Sequence, residues 1–157
     1  MPESHEAYAA YHAVGERLST GELSQAELGA LIENLPTLDA NILQELTQAS
    51  ETLALAAPRQ GWALLAVADQ AAQRQPGDLF LRALSAWQLG AACNRWGQPK
   101  RVVEAITRAR SGFEVLGEAA WAAACDWQLN DLSWTRPSFP EAARSLAAGW
   151  LYRTPSC

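Results

Sequence analysis

Trp87-Gln88-Leu89-Gly90 recurs further along the chain, at a spacing of 40, as Trp127-Gln128-Leu129-Asn130. Ten positions after each tryptophan stands a cluster of helix-breaking residues, Gly97-Gln98-Pro99 in the first copy and Pro137-Ser138-Phe139-Pro140 in the second. Two segments of helix, breaker and helix in the same register are typical of helical repeats, whose units bury their apolar faces against one another. The repetition therefore predicts a surface that holds another protein rather than a catalytic pocket.

The composition favours an all-α fold. Of the 157 residues, 49% are hydrophobic, and alanine and leucine dominate while valine and isoleucine are few. Such a composition favours helices over strands. A chain of this length suffices for one domain with a substantial core. We therefore predict a single compact all-α domain of about eight helices.

Hydrophobic spacing and breaker residues place the predicted helices. The first covers residues 4–18. Ser24 and Glu27 form a capping-box pattern that opens the second helix, which Pro36 ends. Thr37 is expected to cap a longer helix that runs to about Ala56. The remaining helices are expected at residues 60–74, 78–96, 99–114, 118–135 and 139–152.

The formal charge is distributed unevenly along the chain. The net charge is −5, but residues 1–57 contain nine acidic residues and one basic residue, a formal net of −8. Residues 58–157 contain eleven basic and eight acidic residues, a net of +3. This asymmetry is compatible with two surfaces of opposite preference, or with an acidic solubilising end on an ordinary domain.

Residues 84–113 and 124–149 resemble the tetratricopeptide repeat, a helix–turn–helix unit. The spacing of 40 exceeds the usual 34 of that family, and Asn130 stands where the family has glycine. Trp87 and Trp121 offer a competing register at a spacing of 34, but the longer register aligns four consecutive positions and the turn as well. The residues that match the family motif are Trp87, Leu89, Gly90, Gly97, Ala109, Trp127, Leu129, Phe139, Glu141 and Ala142.

The resemblance implies a right-handed solenoid of helical hairpins over residues 58–157, with residues 1–57 as an acidic N-terminal helical cap. Extended forms of the repeat occur beside bacterial signalling, caspase-like protease and regulatory ATPase domains. The function implied is a non-catalytic adaptor, a scaffold or a chaperone-like subunit of a larger bacterial complex.

A basic and aromatic surface is the predicted partner-binding site. Lys100, Arg101, Glu104 and Arg108 lie opposite the apolar face of their helix, and their i,i+4 spacing predicts a solvated face. Tryptophan and arginine are favoured at the energetic centres of interfaces, and this rim would suit an acidic peptide or the acidic N-terminal end of this chain. The predicted partner-binding residues are Arg95, Trp96, Lys100, Arg101, Arg108, Trp134, Trp150 and Tyr152.

The C-terminal helix is a second candidate interface. A solenoid normally ends in a polar cap, but here Trp150, Leu151 and Tyr152 follow one another near the end of the chain. We expect homodimerisation or a partner to cover them.

Nucleic-acid binding through the basic segment 95–110, as an accessory subunit of a ribonucleoprotein, is the alternative function. The overall negative charge disfavours it, because such binding depends on phosphate neutralisation.

Motifs for catalysis and for cofactors are missing from the sequence. It contains no glycine-rich phosphate loop, no HExxH and no Gly-x-Ser-x-Gly. His5 and His12 lie one heptad apart with only Glu6 and Glu16 near them, which favours a solvated helix over a metal site. We therefore predict no enzymatic activity and no cofactor.

The cellular location is predicted from the cysteines and from the hydropathy pattern. Cys93, Cys125 and Cys157 are too few and too widely spaced for a disulfide framework. The N-terminus does not read as a signal peptide, and no apolar run approaches the roughly 20 residues that span a bilayer. These observations predict a cytoplasmic protein without membrane contact.

Overall fold

The computed structural model describes residues 2–131, and within that range the chain forms seven helices and no strand. The all-α prediction is therefore confirmed for this part of the chain. The predicted helix at 139–152 lies outside the described residues, as do Trp134, Trp150 and Tyr152. The helices are α1 (Pro2–Ser19), α2 (Gln25–Glu33), α3 (Ala40–Thr52), α4 (Pro58–Arg74), α5 (Leu79–Arg95), α6 (Pro99–Val115) and α7 (Ala119–Asp131).

Capping side chains determine where α2 and α3 begin. The capping box of Ser24 and Glu27 is confirmed, because each side chain accepts a hydrogen bond from the backbone N–H of the other residue. The prediction for α3 is wrong at both ends. Asp39, not Thr37, is the N-cap, and its carboxylate accepts from the Ile42 N–H at 2.8 Å. The helix ends at Thr52 rather than near Ala56, since the chain must leave helical geometry before Pro58.

The α4 helix lies at the centre of the packing. It contacts α1, α2 and α3 on one side and α5 on the other, while α6 packs on α5 and α7 packs on α6. Residues of α1 such as Tyr11 and residues of α6 such as Ile106 belong to one continuous buried cluster. The acidic N-terminal part of the chain therefore shares the core of the basic remainder.

The helices recur at the spacing of the sequence repeat. α5 and α7 begin at Leu79 and Ala119, which places Trp87 and Trp127 at the ninth position of their helices. Glycines with positive φ stand in the three links that follow α4, α5 and α6, at Gly77, Gly97 and Gly117. Trp121 is at the third position of α7, so the shorter register from Trp87 to Trp121 does not relate equivalent positions.

Tryptophans of adjacent repeats meet in the core. Trp87 and Trp121 are buried, with ring centroids 5.7 Å apart and planes nearly perpendicular. Phe113 stacks on the other side of Trp121 at 5.0 Å. Trp127, by contrast, is 36% exposed. Within residues 2–131, no helix combines the length and the apolar character needed to cross a bilayer.

Candidate functional site

A groove of about 790 Å³ crosses the surface between the second and sixth helices. Residues 62–73 of α4 form its base, the end of α1 and the start of α2 form one side, and residues 101–108 of α6 form the other. We refer to it as the central groove. Its polar lining residues are Gln25, Asp69, Gln70, Gln73, Arg74, Arg101, Glu104 and Arg108.

An arginine resting on two tryptophans marks one end of the central groove. The guanidinium carbon of Arg101 lies 5.0 Å from the ring centroid of Trp62 and 5.4 Å from that of Trp96. The two rings are themselves 4.9 Å apart. The positive guanidinium is attracted to the negative ring faces. This contact fixes the Arg101 side chain although the residue is exposed.

The Arg101 guanidinium retains donors for a ligand. A guanidinium has five N–H donors along its edge, and stacking on a ring uses its face instead. Among residues 2–131, no carboxylate forms an ion pair with it. The group is therefore a positioned cation without a counter-charge in the described part of the chain.

A second arginine joins the α6 side of the groove to its base. Arg108 of α6 donates two hydrogen bonds to the Asp69 carboxylate of α4, at 3.2 and 2.9 Å. Gln73 donates a third at 2.8 Å. Burial raises the pKa of Asp69, and the Arg108 guanidinium opposes that rise. The prediction that Arg108 pairs with Glu104 on a solvated face is wrong, because the buried Asp69 carboxylate takes the guanidinium instead.

The predicted partner-binding residues within the described range divide into two groups. Trp96, Arg101 and Arg108 come together at the central groove. Arg95 is half-buried and donates to the Ser50 hydroxyl of α3 at 3.0 Å, and burial lowers the pKa of its guanidinium. Lys100 is exposed and does not line the groove.

Two residues essential to the site escaped the sequence-based prediction. Trp62 lies beneath Arg101, but the two are far apart in the sequence and no local pattern connects them. The role of Asp69 could have been predicted in part, since it is the one acidic residue in the largely apolar segment 63–72. Buried carboxylates are paired, so that position indicated an ion pair without indicating its partner.

Three arginines of the basic segment 95–110 are bonded within the fold. Arg95 is bonded to Ser50, Arg108 to Asp69, and Arg110 forms ion pairs with Asp126 and, at 2.9 Å, with Glu114. Lys100 and Arg101 remain as its exposed cations without an ion pair among the described residues, and Arg95, also without one, is half-buried.

The two cysteine thiols of the described residues are buried. Burial raises the pKa of Cys93 to about 11 and that of Cys125 to about 12. Both thiols are therefore protonated at neutral pH, and the thiolate is the reactive form. Within residues 2–131, no three His, Cys, Asp or Glu side chains are grouped so that they could hold a metal ion.

Comparison of the chain with protein-family models, curated protein sequences and solved structures gives no match.

Proposed function

We propose that this protein is a non-catalytic interaction module that binds an acidic segment of another protein in the central groove. The observation that carries the proposal is the exposed Arg101 guanidinium, held on Trp62 and Trp96 without a carboxylate partner among residues 2–131. A partner's Asp or Glu side chain can accept from the free edge of that guanidinium.

Preorganisation favours binding at this site. Ordering a long side chain at an interface costs about 0.5–1.5 kcal/mol, and the stacked Arg101 side chain has already lost much of that freedom. The Asp69–Arg108 ion pair links α4 to α6, which both pack on α5, so the groove does not need to form when the partner arrives. Arginine and tryptophan are also the residues that dominate binding energy in protein interfaces.

A protein partner fits the charge distribution better than a nucleic acid does. Binding to a phosphate backbone uses many uncompensated cations. In the segment 95–110, Arg108 and Arg110 are in ion pairs and Arg95 is half-buried and bonded to Ser50, which leaves Lys100 and Arg101 as the exposed cations without an ion pair among the described residues.

The finer proposal is a tetratricopeptide-like, right-handed solenoid of helical hairpins that acts as an adaptor, a scaffold or a chaperone-like subunit. The recurrence of helix starts at Leu79 and Ala119, in the register of the sequence repeat, supports it. So does the groove itself, since repeat proteins use extended concave surfaces for binding.

The proposal is tested by affinity purification with charge-matched variants. Arg101→Glu and Lys100→Glu change the net charge equally at adjacent exposed positions, but of these two residues Arg101 alone lines the groove. We expect a stoichiometric partner that Arg101→Glu loses and Lys100→Glu largely keeps. The partner is then produced in pure form and titrated by calorimetry against all three proteins. Equal affinity for the wild-type protein and Arg101→Glu would remove the central groove as the binding site.

A further inference from the structure

A second cavity of about 410 Å³ opens where α5 and α6 lie side by side. It is more apolar than the central groove, and we call it the apolar subsite. Small side chains form its base, and two exposed apolar side chains stand at its edge, Leu79 at 44% and Val115 at 78% exposure. Its principal lining residues are Leu79, Ala83, Ala86, Gly112 and Val115.

The apolar subsite continues the central groove. Gln73 and Arg108 line both cavities. On α6, positions 101, 104, 108, 111 and 115 follow one another at intervals of three or four, which places them on one helical face. That face is about 21 Å long at a rise of 1.5 Å per residue. One ligand segment can therefore contact both cavities.

The charged side chains that line the apolar subsite are all positive. Its charged residues are Arg82 and Arg108, and among the described residues no carboxylate lines it. The Arg82 guanidinium donates to the Gln75 carbonyl at 2.8 Å, while its buried Nε has no hydrogen-bond partner within residues 2–131. An acidic segment therefore meets no carboxylate within the apolar subsite, whereas Glu104 lines the central groove before it.

We infer that the partner segment is bipartite, with a carboxylate side chain at Arg101 and a large apolar side chain in the apolar subsite. This inference rests on the proposed function and adds the chemistry of the ligand. An extended chain reaches from Arg101 to the apolar subsite with the fewest residues, so the segment is assigned that conformation.

The spacing between the two ligand side chains follows from the same geometry. Arg101 and Gly112 are separated by about 16 Å along α6 at 1.5 Å per residue. An extended chain covers that distance in about five residues at 3.3 Å each.

The inference is tested by fluorescence polarisation with fluorescein-labelled peptides of Ser and Gly. Each peptide carries a Glu pair and one Leu, placed three, five, seven or eleven positions apart in both orders, and a reference series has Ser in place of Leu. We expect the spacing of five to bind most tightly. Its advantage over the Ser peptide should be about tenfold or more, as expected for burial of one leucine side chain.

Two valine variants localise the effect of the leucine. Val115→Glu should abolish the advantage of the Leu peptide, whereas Val103→Glu, at a 46% exposed position of α6 that lines neither cavity, should keep it. Both valines are exposed, so both variants should fold, and circular dichroism checks this. Arg101→Glu should weaken every peptide of the panel.

The outcomes separate this inference from the proposed function. Equal affinity for Leu and Ser peptides, with both weakened by Arg101→Glu, would overturn the bipartite ligand and leave acidic-segment binding intact. Tightest binding at the spacing of eleven would overturn the extended conformation. An equal loss in Val103→Glu and Val115→Glu would overturn the position of the apolar subsite. No binding of any peptide would contradict both proposals.

Discussion

Asp69 is a buried carboxylate whose counter-charge comes from another helix. Its side chain is almost fully enclosed, and Arg108 and Gln73 supply its hydrogen bonds. Removing one partner of a buried ion pair leaves the other charge uncompensated. We therefore expect Arg108→Met to lower the free energy of unfolding by about 3 kcal/mol at pH 8, measured by urea denaturation.

The same pair makes the loss depend on pH. Burial raises the pKa of Asp69 in the folded state, so the folded protein binds its proton more readily than the unfolded chain does. The stability that the folded state gains by binding this proton is fully present below the pKa of Asp69 in the unfolded chain. It is lost as the pH rises through the pKa of Asp69 in the folded protein. Without Arg108 the pKa of Asp69 in the folded protein rises further, because the guanidinium no longer stabilises the carboxylate. The loss of unfolding free energy in Arg108→Met should therefore shrink steadily from pH 8 to pH 4.5, as Asp69 becomes protonated. The double variant Asp69→Asn/Arg108→Met should lack this dependence, and a pH-independent loss in the single variant would contradict the assignment.

For single residues, the sequence predicts which charged side chains are exposed. It predicts less well which other residues those side chains contact. The spacing of Lys100, Arg101 and Arg108 correctly placed them away from the apolar face of α6. It could not identify Trp62 or Asp69 as their partners, because contacts between residues so distant in the sequence depend on how α4 and α6 each pack on α5. Both of those partners lie on α4, whose own pattern indicates only a buried helix.

At the scale of elements, the contact between α5 and α6 depends on a glycine. A Cβ at Gly90 would lie 2.4 Å from Cδ1 and 2.7 Å from Cγ1 of Ile106, a fully buried side chain. Gly90→Ala should therefore destabilise the protein by about 1–3 kcal/mol through overpacking. The higher helix propensity of alanine offsets up to about 1 kcal/mol of that loss. Thermal unfolding of the variant measures the net effect.

Gly29→Ala is the matched control for that variant. Gly29 is also within a helix, but its added Cβ would meet only the end of the Arg74 side chain, at 3.1 Å. Because alanine has a higher helix propensity than glycine, Gly29→Ala should leave the stability of the protein unchanged or raise it slightly. If Gly29→Ala and Gly90→Ala unfolded at the same temperature, the close approach of α5 to α6 would be refuted.

Element boundaries follow from local chemistry when one cap has no competitor. Ser24 and Glu27 define the start of α2 as predicted. At the next helix Thr37 and Asp39 compete, and the aspartate carboxylate is the N-cap that bonds the backbone of the first turn. The links after α4, α5 and α6 were predictable because Gly77, Gly97 and Gly117 adopt positive φ, which glycine tolerates best.

At the scale of the whole molecule, the acidic and basic parts of the chain meet at the edge of the central groove. Glu33 of α2 lies 3.4 Å from Arg74 of α4, which lines the groove, so one acid of the N-terminal part is already paired at its edge. Arg101, at the other end, has no such partner among the described residues. The acidic surface of residues 1–57 should repel an acidic partner everywhere else and so restrict it to the groove.

Site-specific photo-crosslinking in the cells that naturally contain the protein tests the central claim most directly. A benzoylphenylalanine replaces Gln70, which lines the central groove, or Val103, which lies on α6 outside it. We predict that the Gln70 position crosslinks one partner through an acidic segment identified by mass spectrometry, and that the Val103 position does not. Equal yields at both positions, or a crosslink at Val103 alone, would contradict binding in the groove.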